Sequence, residues 1–168
     1  MIVYLHGFNS SPASGKAKQF GDHMACIGRL ADYSCPALPN SPREAIAKVE
    51  STLARNGAST VTLVGSSLGG FYATHLAEKH GWKAVLVNPA VHAHKLLRGA
   101  LGPQSNWHTG EKWVLTEAHL NELAALVETA GAEVVGRVVQ NREGVHPVWY
   151  LGTGKAEELK EAKSTTQF

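Results

Sequence analysis

Thr60-Val61-Thr62-Leu63-Val64-Gly65-Ser66-Ser67-Leu68-Gly69-Gly70-Phe71-Tyr72 is the stretch that decides the fold of this 168-residue chain. From Thr60 to Val64 it is β-branched and apolar, which predicts a strand. Phe71, Tyr72 and Leu76 begin a helix that Gly81 closes. Between them Gly65, Ser67 and Gly69 satisfy the pattern Gly-x-Ser-x-Gly, which is weak alone but gains value from the strand that leads in and the helix that leads out. A nucleophile on a strained tight turn needs small neighbours. Gly65 and Gly69 let the two backbones approach, and the turn lifts the Ser67 hydroxyl clear of the sheet. The helix that follows presents free amides to developing negative charge, so the Leu68 amide is the natural first oxyanion donor. Ser67 is therefore the candidate nucleophile, while Ser66 occupies the variable position and points elsewhere.

Upstream, Ile2 to Leu5 is a continuous apolar run ending at His6-Gly7, the pattern of a strand buried on both faces in a parallel sheet. Gly7 allows the chain to turn inward, so the Phe8 amide is the expected second oxyanion donor, with His6 and Gly7 as supporting residues. A helix is expected from about Ser14, with Ala17, Phe20, Met24 and Ile27 on its apolar stripe and Gly28 as its stop. Ser41-Pro42-Arg43-Glu44 reads as a capping box with Pro42 at the first helical position. Ala45, Ile46, Val49 and Leu53 continue that helix and Gly57 ends it.

Downstream, Ala84 to Val87 reads as a short buried strand ended by Asn88-Pro89. Residues 91–114 give only a loop with helical pieces. Thr116 caps a helix striped by Leu120, Leu123, Leu126, Val127 and Ala130, with Gly131 as its stop. Glu133 to Val139 and Val148 to Leu151 read as strands, and Ala156 to Ala162 as a charged helix. Strands alternating with helices predict an α/β fold: a mostly parallel sheet flanked by helices, minimal and α/β-hydrolase-like, with an atypical C-terminal part. A single domain over 1–168 is expected, with a hydrolase-like core over 1–123 and an atypical segment over 124–168.

A serine nucleophile needs a base and an orienting acid, in the chain order Ser, acid, His for this architecture. The only aspartates, Asp22 and Asp32, both precede Ser67, so a late acid must be a glutamate. Glu133 and Glu143 are the candidates, and His146, between two expected strands, is the best-placed base. His75 and His80 fall on the helix after the turn. His92 and His94 match no metal spacing, and His108 and His119 are expected to be exposed. Gly152-Thr153-Gly154-Lys155 looks like the end of a phosphate loop, but Trp149 and Ala156 stand where that motif needs Gly and Ser or Thr. No metal and no cofactor is expected.

The hydrophobic fraction of 43% and charged fraction of 18% are ordinary for a globular protein. A net charge of +2 is too small to argue for nucleic acid or an acidic membrane surface. No apolar run approaches the ~20 residues of a membrane helix, and the N-terminus reads as a strand rather than a signal peptide. Cys26 and Cys35 read as free, buried thiols of a cytoplasmic chain.

Tyr4-Leu5-His6-Gly7-Phe8-Asn9-Ser10-Ser11, Val64 to Thr74, Val87-Asn88-Pro89-Ala90 and Thr109-Gly110-Glu111-Lys112-Trp113-Val114 together resemble the YqiA-like (UPF0227) family of small esterases, over about residues 2–123. The resemblance implies a cytosolic α/β-hydrolase that cleaves carboxylic esters with Ser67 as nucleophile. That family ends with a strand carrying a catalytic Asp and a loop carrying the catalytic His. Neither appears in this sequence, and Ala132-Glu133 and Val145-His146-Pro147 are the nearest stand-ins. Residues 128–136 and 150–159 instead resemble the N-terminal domain of HflX-type ribosome-associated GTPases, over about 120–163, so the chain reads as a composite. The GTP-binding domain of that family has no counterpart here. The expected function is hydrolysis of a small-molecule, short-chain carboxylic ester. The alternative is a catalytically incomplete hydrolase scaffold acting as an interaction module. Ribosome binding through the tail is a third, disfavoured reading, because a motif removed from its domain seldom keeps its partner.

Overall fold

A computed structural model describes residues 1–56 and 60–128, all within one compact unit, Met1–Ala132. Ile2–Leu5 forms β1, and Gly15–Cys26 forms α1 with Ser14 as its N-cap, whose hydroxyl accepts from the Ala17 amide. A single 3₁₀ turn, Leu30–Asp32, leads into β2 (Tyr33–Ser34). Then come α2 (Pro42–Asn56), β3 (Thr62–Ser66), α3 (Leu68–His80) and β4 (Lys83–Val87). The chain continues through α4 (Ala93–Leu96), a second 3₁₀ turn, β5 (Gly102–Ser105), β6 (Lys112–Leu115) and α5 (Glu117–Glu128).

The sheet runs β2-β1-β3-β4 with every pair parallel. Leu5 lies opposite Gly65, and Ser66 opposite Val87. This register brings the carboxyl ends of β1, β3 and β4 to one edge, where open α/β sheets place their ligands. Successive side chains point to opposite faces of the sheet. Val3, Leu5 and Leu63 join the larger core with Ile46, Val49 and Leu53 of α2, Phe71 and Leu76 of α3, and Leu120 and Leu123 of α5. Tyr4 and Val64 turn the other way, onto Ala17 and Phe20 of α1. Both faces of the two central strands are thus covered, as their unbroken apolar runs require.

Several expectations change. The β4 strand is in place, but Val85, Leu86 and Val87 are 52%, 40% and 38% exposed. It is the last strand of the described sheet, and no described strand pairs with its outer edge. The box at the start of α2 is closed from outside the helix. Ser41 Oγ accepts from the Glu44 amide, but the carboxylate that takes the Ser41 hydroxyl and the Arg43 amide is Glu122 of α5 (2.9 and 3.0 Å). Residues 102–115 form an antiparallel hairpin rather than a loop, with Pro103 paired to Val114. Strand β2, two residues long, carries no period to read. Cys26 is exposed and Cys35 half-buried, because α1 turns the cysteine at its end toward solvent. Ile27, at the end of the expected stripe, is 49% exposed as the C-cap of α1. Gly57 and Gly131 lie outside the described residues, as do the strands and helix expected after residue 132.

Candidate active site

Ser67 sits between β3 and α3 with φ 54° and ψ −118°, a left-handed conformation that side chains rarely adopt. Two bonds to its carbonyl start the helix, from Gly70 at 2.9 Å and Phe71 at 3.3 Å, and its own amide donates to Val87 O at 3.1 Å. A third donor to the same carbonyl, the Ala90 amide at 3.0 Å, ties down the loop after β4. The turn is therefore fixed from both sides. Ser66 is buried, whereas Ser67 is exposed and its Oγ makes no hydrogen bond among the described residues.

The flanking glycines are there because nothing larger fits. A Cβ on Gly65 would run into the Gly69 carbonyl, and one on Gly69 into the carbonyls of Leu5 and His6. A Cβ on Gly7 would stand 3.2 Å from Ser67 Cβ and 3.7 Å from Ser67 Oγ. The end of β1 thus lies directly against the serine. Phe8 and Leu68 line one small cavity there, of about 30 Å³, and their main-chain amides donate to no group among the described residues. Free amides at the start of α3 and in the turn after β1 can stabilise a negative oxygen placed between them.

His6 supports this loop rather than reacting. It is buried, its Nδ1 lies 3.1 Å from the Gly7 carbonyl, and its Nε2 accepts from the Leu38 amide at 3.1 Å. Those contacts require the Nδ1–H tautomer. Burial, the largest cause, holds the His6 pKa below the usual histidine value despite the Gly7 bond. Tyr72, another wall of the cavity, is buried by α3. Its phenol is pushed to higher pKa, first by burial and then by the Glu122 charge, and stays neutral.

A second layer holds the loop from the side. Asn9, with φ 51°, is buried; its Nδ2 donates to Gln104 Oε1 at 2.9 Å and its Oδ1 accepts from Trp113 Nε1 at 2.8 Å. Asn9 O accepts from the Trp107 amide and Ser10 O from Asn106 Nδ2. The Phe8 ring meets Trp113 edge-on, with centroids 5.7 Å apart. Hairpin β5–β6 therefore straps the turn that carries Phe8. Sequence reasoning missed these partners, since Gln104 and Trp113 lie 95 and 104 residues from Asn9 and no local pattern links them.

The structure brings together Ser67, Leu68, Phe8, His6, Gly7, Gly65 and Gly69. His146, Glu133 and Glu143 lie outside the described residues. His75 and His80 fall on α3, and His119 is half-buried rather than exposed, its ring edge-on to Trp113 with centroids 5.7 Å apart. Among the described residues no helix is long and apolar enough to cross a membrane.

A model of the uncharacterised protein family UPF0227 matches residues 1–163. A UPF0227 protein of Shewanella baltica is 28% identical over 105 residues, which are 60% of this chain and 57% of that protein. The tail matches a different protein in part: a GTPase HflX of Lacrimispora saccharolytica is 60% identical over 42 residues, 25% of this chain and 10% of the GTPase. The chain therefore spans little more than half the length of the UPF0227 relatives it matches, and a tenth of the GTPase. Among solved structures, alpha/beta hydrolase domain-containing protein 10 from mouse superposes with a TM-score of 0.52 at 16% identity, over 74% of this chain and 60% of that one. The fold is that of the α/β-hydrolases.

Proposed function

The chain belongs to the uncharacterised protein family UPF0227, and from that membership and the geometry of its strand-to-helix turn we propose that it is a serine hydrolase cleaving short-chain carboxylic esters. The observation that carries this reading is the exposed Ser67, held at φ 54° against Gly7 at the mouth of α3. Ser67 Oγ attacks the ester carbonyl. The amides of Leu68 and Phe8 donate to the oxygen as it becomes negative. His146 takes the serine proton and returns it to the leaving alcohol; water, giving its proton to the same imidazole, then attacks the acyl-serine, frees the acid and restores the Ser67 hydroxyl, while Glu133 orients the imidazole. Chain order alone assigns these last two roles, with Glu143 as the other acid. The site of action is the cytoplasm, and the reaction needs no cofactor.

The partial match of the tail to a GTPase favours a second reading, in which the hydrolase scaffold lacks a working base and serves as an interaction module. One experiment addresses both. A fluorophosphonate probe should label the parent chain, and Ser67→Ala should abolish the labelling together with ester turnover. Equal labelling of that variant removes the serine reading. His146→Ala should lower turnover by at least ~100-fold if it is the base, and unchanged turnover in it removes His146 from the mechanism.

A further inference from the structure

The cleft beside the turn after β1 has a deeply buried polar wall with no partner among the described residues. Tyr72 lines this cleft together with Phe8 and Leu68. It is 3% exposed, yet its hydroxyl makes no hydrogen bond among the described residues. Buried polar groups are nearly always paired, so an orphaned hydroxyl facing a cleft points to a ligand atom that completes the pair. The other buried polar walls are already committed. His6 uses both ring nitrogens on Gly7 and Leu38, and the Asn9 amide bonds Gln104 and Trp113. Glu122, whose charge acts on Tyr72, gives its Oε2 to the Ser41 hydroxyl and the Arg43 amide rather than to the phenol. Helix geometry aims the phenol at the site. Tyr72 follows Leu68 by four residues on α3, so the two share one face about 6 Å apart along the axis. Side chains on a helix lean toward its N-terminus, which brings the phenol back toward the free Leu68 amide. The cleft they share, about 30 Å³, has room for roughly one water-sized group.

We propose that the Tyr72 hydroxyl is a third donor, beside the Phe8 and Leu68 amides, to the substrate oxygen that becomes negative. This rests on the serine hydrolase reading above. The phenol keeps its proton throughout, and its hydrogen bond strengthens as charge builds on that oxygen, so the contact favours the transition state over the bound ester. Burial first, and then the Glu122 charge, hold the phenol neutral, which keeps it a donor across the working pH range.

Tyr72→Phe removes the oxygen and keeps the ring that meets Phe71 edge-on. The test measures kcat and KM on a nitrophenyl ester, per site titrated with the fluorophosphonate. It adds the melting temperature and inhibition by a trifluoromethyl ketone, which forms a tetrahedral oxyanion on a reactive serine. In the variant kcat should fall about 10- to 100-fold with KM within about twofold of the parent, and the ketone should bind more weakly by a similar factor. The melting temperature should not fall, because the variant loses only an unpaired hydroxyl. A kcat within about twofold of the parent overturns the Tyr72 role and leaves the esterase reading standing. A lower kcat with unchanged ketone inhibition, which a packing defect would give, overturns it too, as does a variant that does not fold. No labelling and no turnover in the parent overturns the esterase reading and the Tyr72 role with it.

Discussion

Ser67 pays for its position in backbone strain. A non-glycine residue at φ 54° and ψ −118° costs of order 1–3 kcal/mol, and it persists because four main-chain hydrogen bonds at its amide and carbonyl hold it. Glycine has no Cβ to clash there. Ser67→Gly should therefore be more stable than Ser67→Ala by about 1 kcal/mol, since the alanine keeps the strain and the glycine releases it at some entropic cost in the unfolded chain. Urea unfolding of the two variants measures the difference. Equal midpoints and slopes would show that the turn is unstrained. The same local logic explains why this part of the site was legible in the sequence. Close approach of β3, α3 and the end of β1 demands glycine at residues 65 and 69, so the steric requirement is written in neighbouring residues. The base was not legible in the same way. A histidine in a late loop is positioned by the rest of the fold, and chain order could do no more than nominate His146.

At the scale of elements, the hairpin β5–β6 acts on the turn after β1 through Asn9. Gly102-Pro103-Gln104-Ser105 has neither alternation nor β-branched residues, which is why it read as a loop. It becomes a strand because Lys112–Leu115 pairs with it and because Gln104, Asn106 and Trp113 fasten to residues 9 and 10. Tertiary hydrogen bonds override a poor local propensity. The helices α1, α2, α3 and α5 were legible for the opposite reason: their apolar residues recur within each helix, and Ser14 caps α1 locally. The closing carboxylate at α2 was not, since it comes from Glu122, 81 residues from Ser41. Asn9→Ala should remove two side-chain bonds and leave the Trp113 donor unpaired, a loss of about 1–3 kcal/mol. If the hairpin positions the Phe8 amide, ester kcat should also fall while fluorophosphonate labelling of Ser67 slows in proportion. Full activity in a measurably destabilised Asn9→Ala would separate the strap from the chemistry.

Across the whole molecule, two buried histidines tie the fold to pH. His6 joins the end of β1 to the Leu38 loop, and His75 on α3 interacts with the Leu126 backbone of α5. Burial is the largest cause in each case, and both pKa values fall below the usual 6.5. Near His75 the Lys79 and His80 charges lower its pKa further, and Glu50 opposes them. A histidine whose folded pKa is lowered takes up its proton first in the unfolded chain. Its contribution to stability is thus complete above about pH 6.5 and is lost as the pH falls toward the folded value. Glu50 acts lower on the scale. Burial raises its pKa, but hydrogen bonds from Lys79 and His80 outweigh that and leave it below 4.5, so its contribution is present above that value and disappears beneath it. The groups are partly exposed, so the Glu50 effect should be small. The melting temperature should therefore drop between about pH 7.5 and pH 5.5, ahead of any carboxylate titration. Because the cause is burial rather than surface charge, about 0.5 M salt should leave the drop largely intact. His75→Gln should shrink it to the share that His6 leaves, and Glu50→Gln should not shrink it. A melting temperature constant to pH 5, or a drop that salt abolishes, would mean that neither imidazole is held neutral by the packing of α3 and β1.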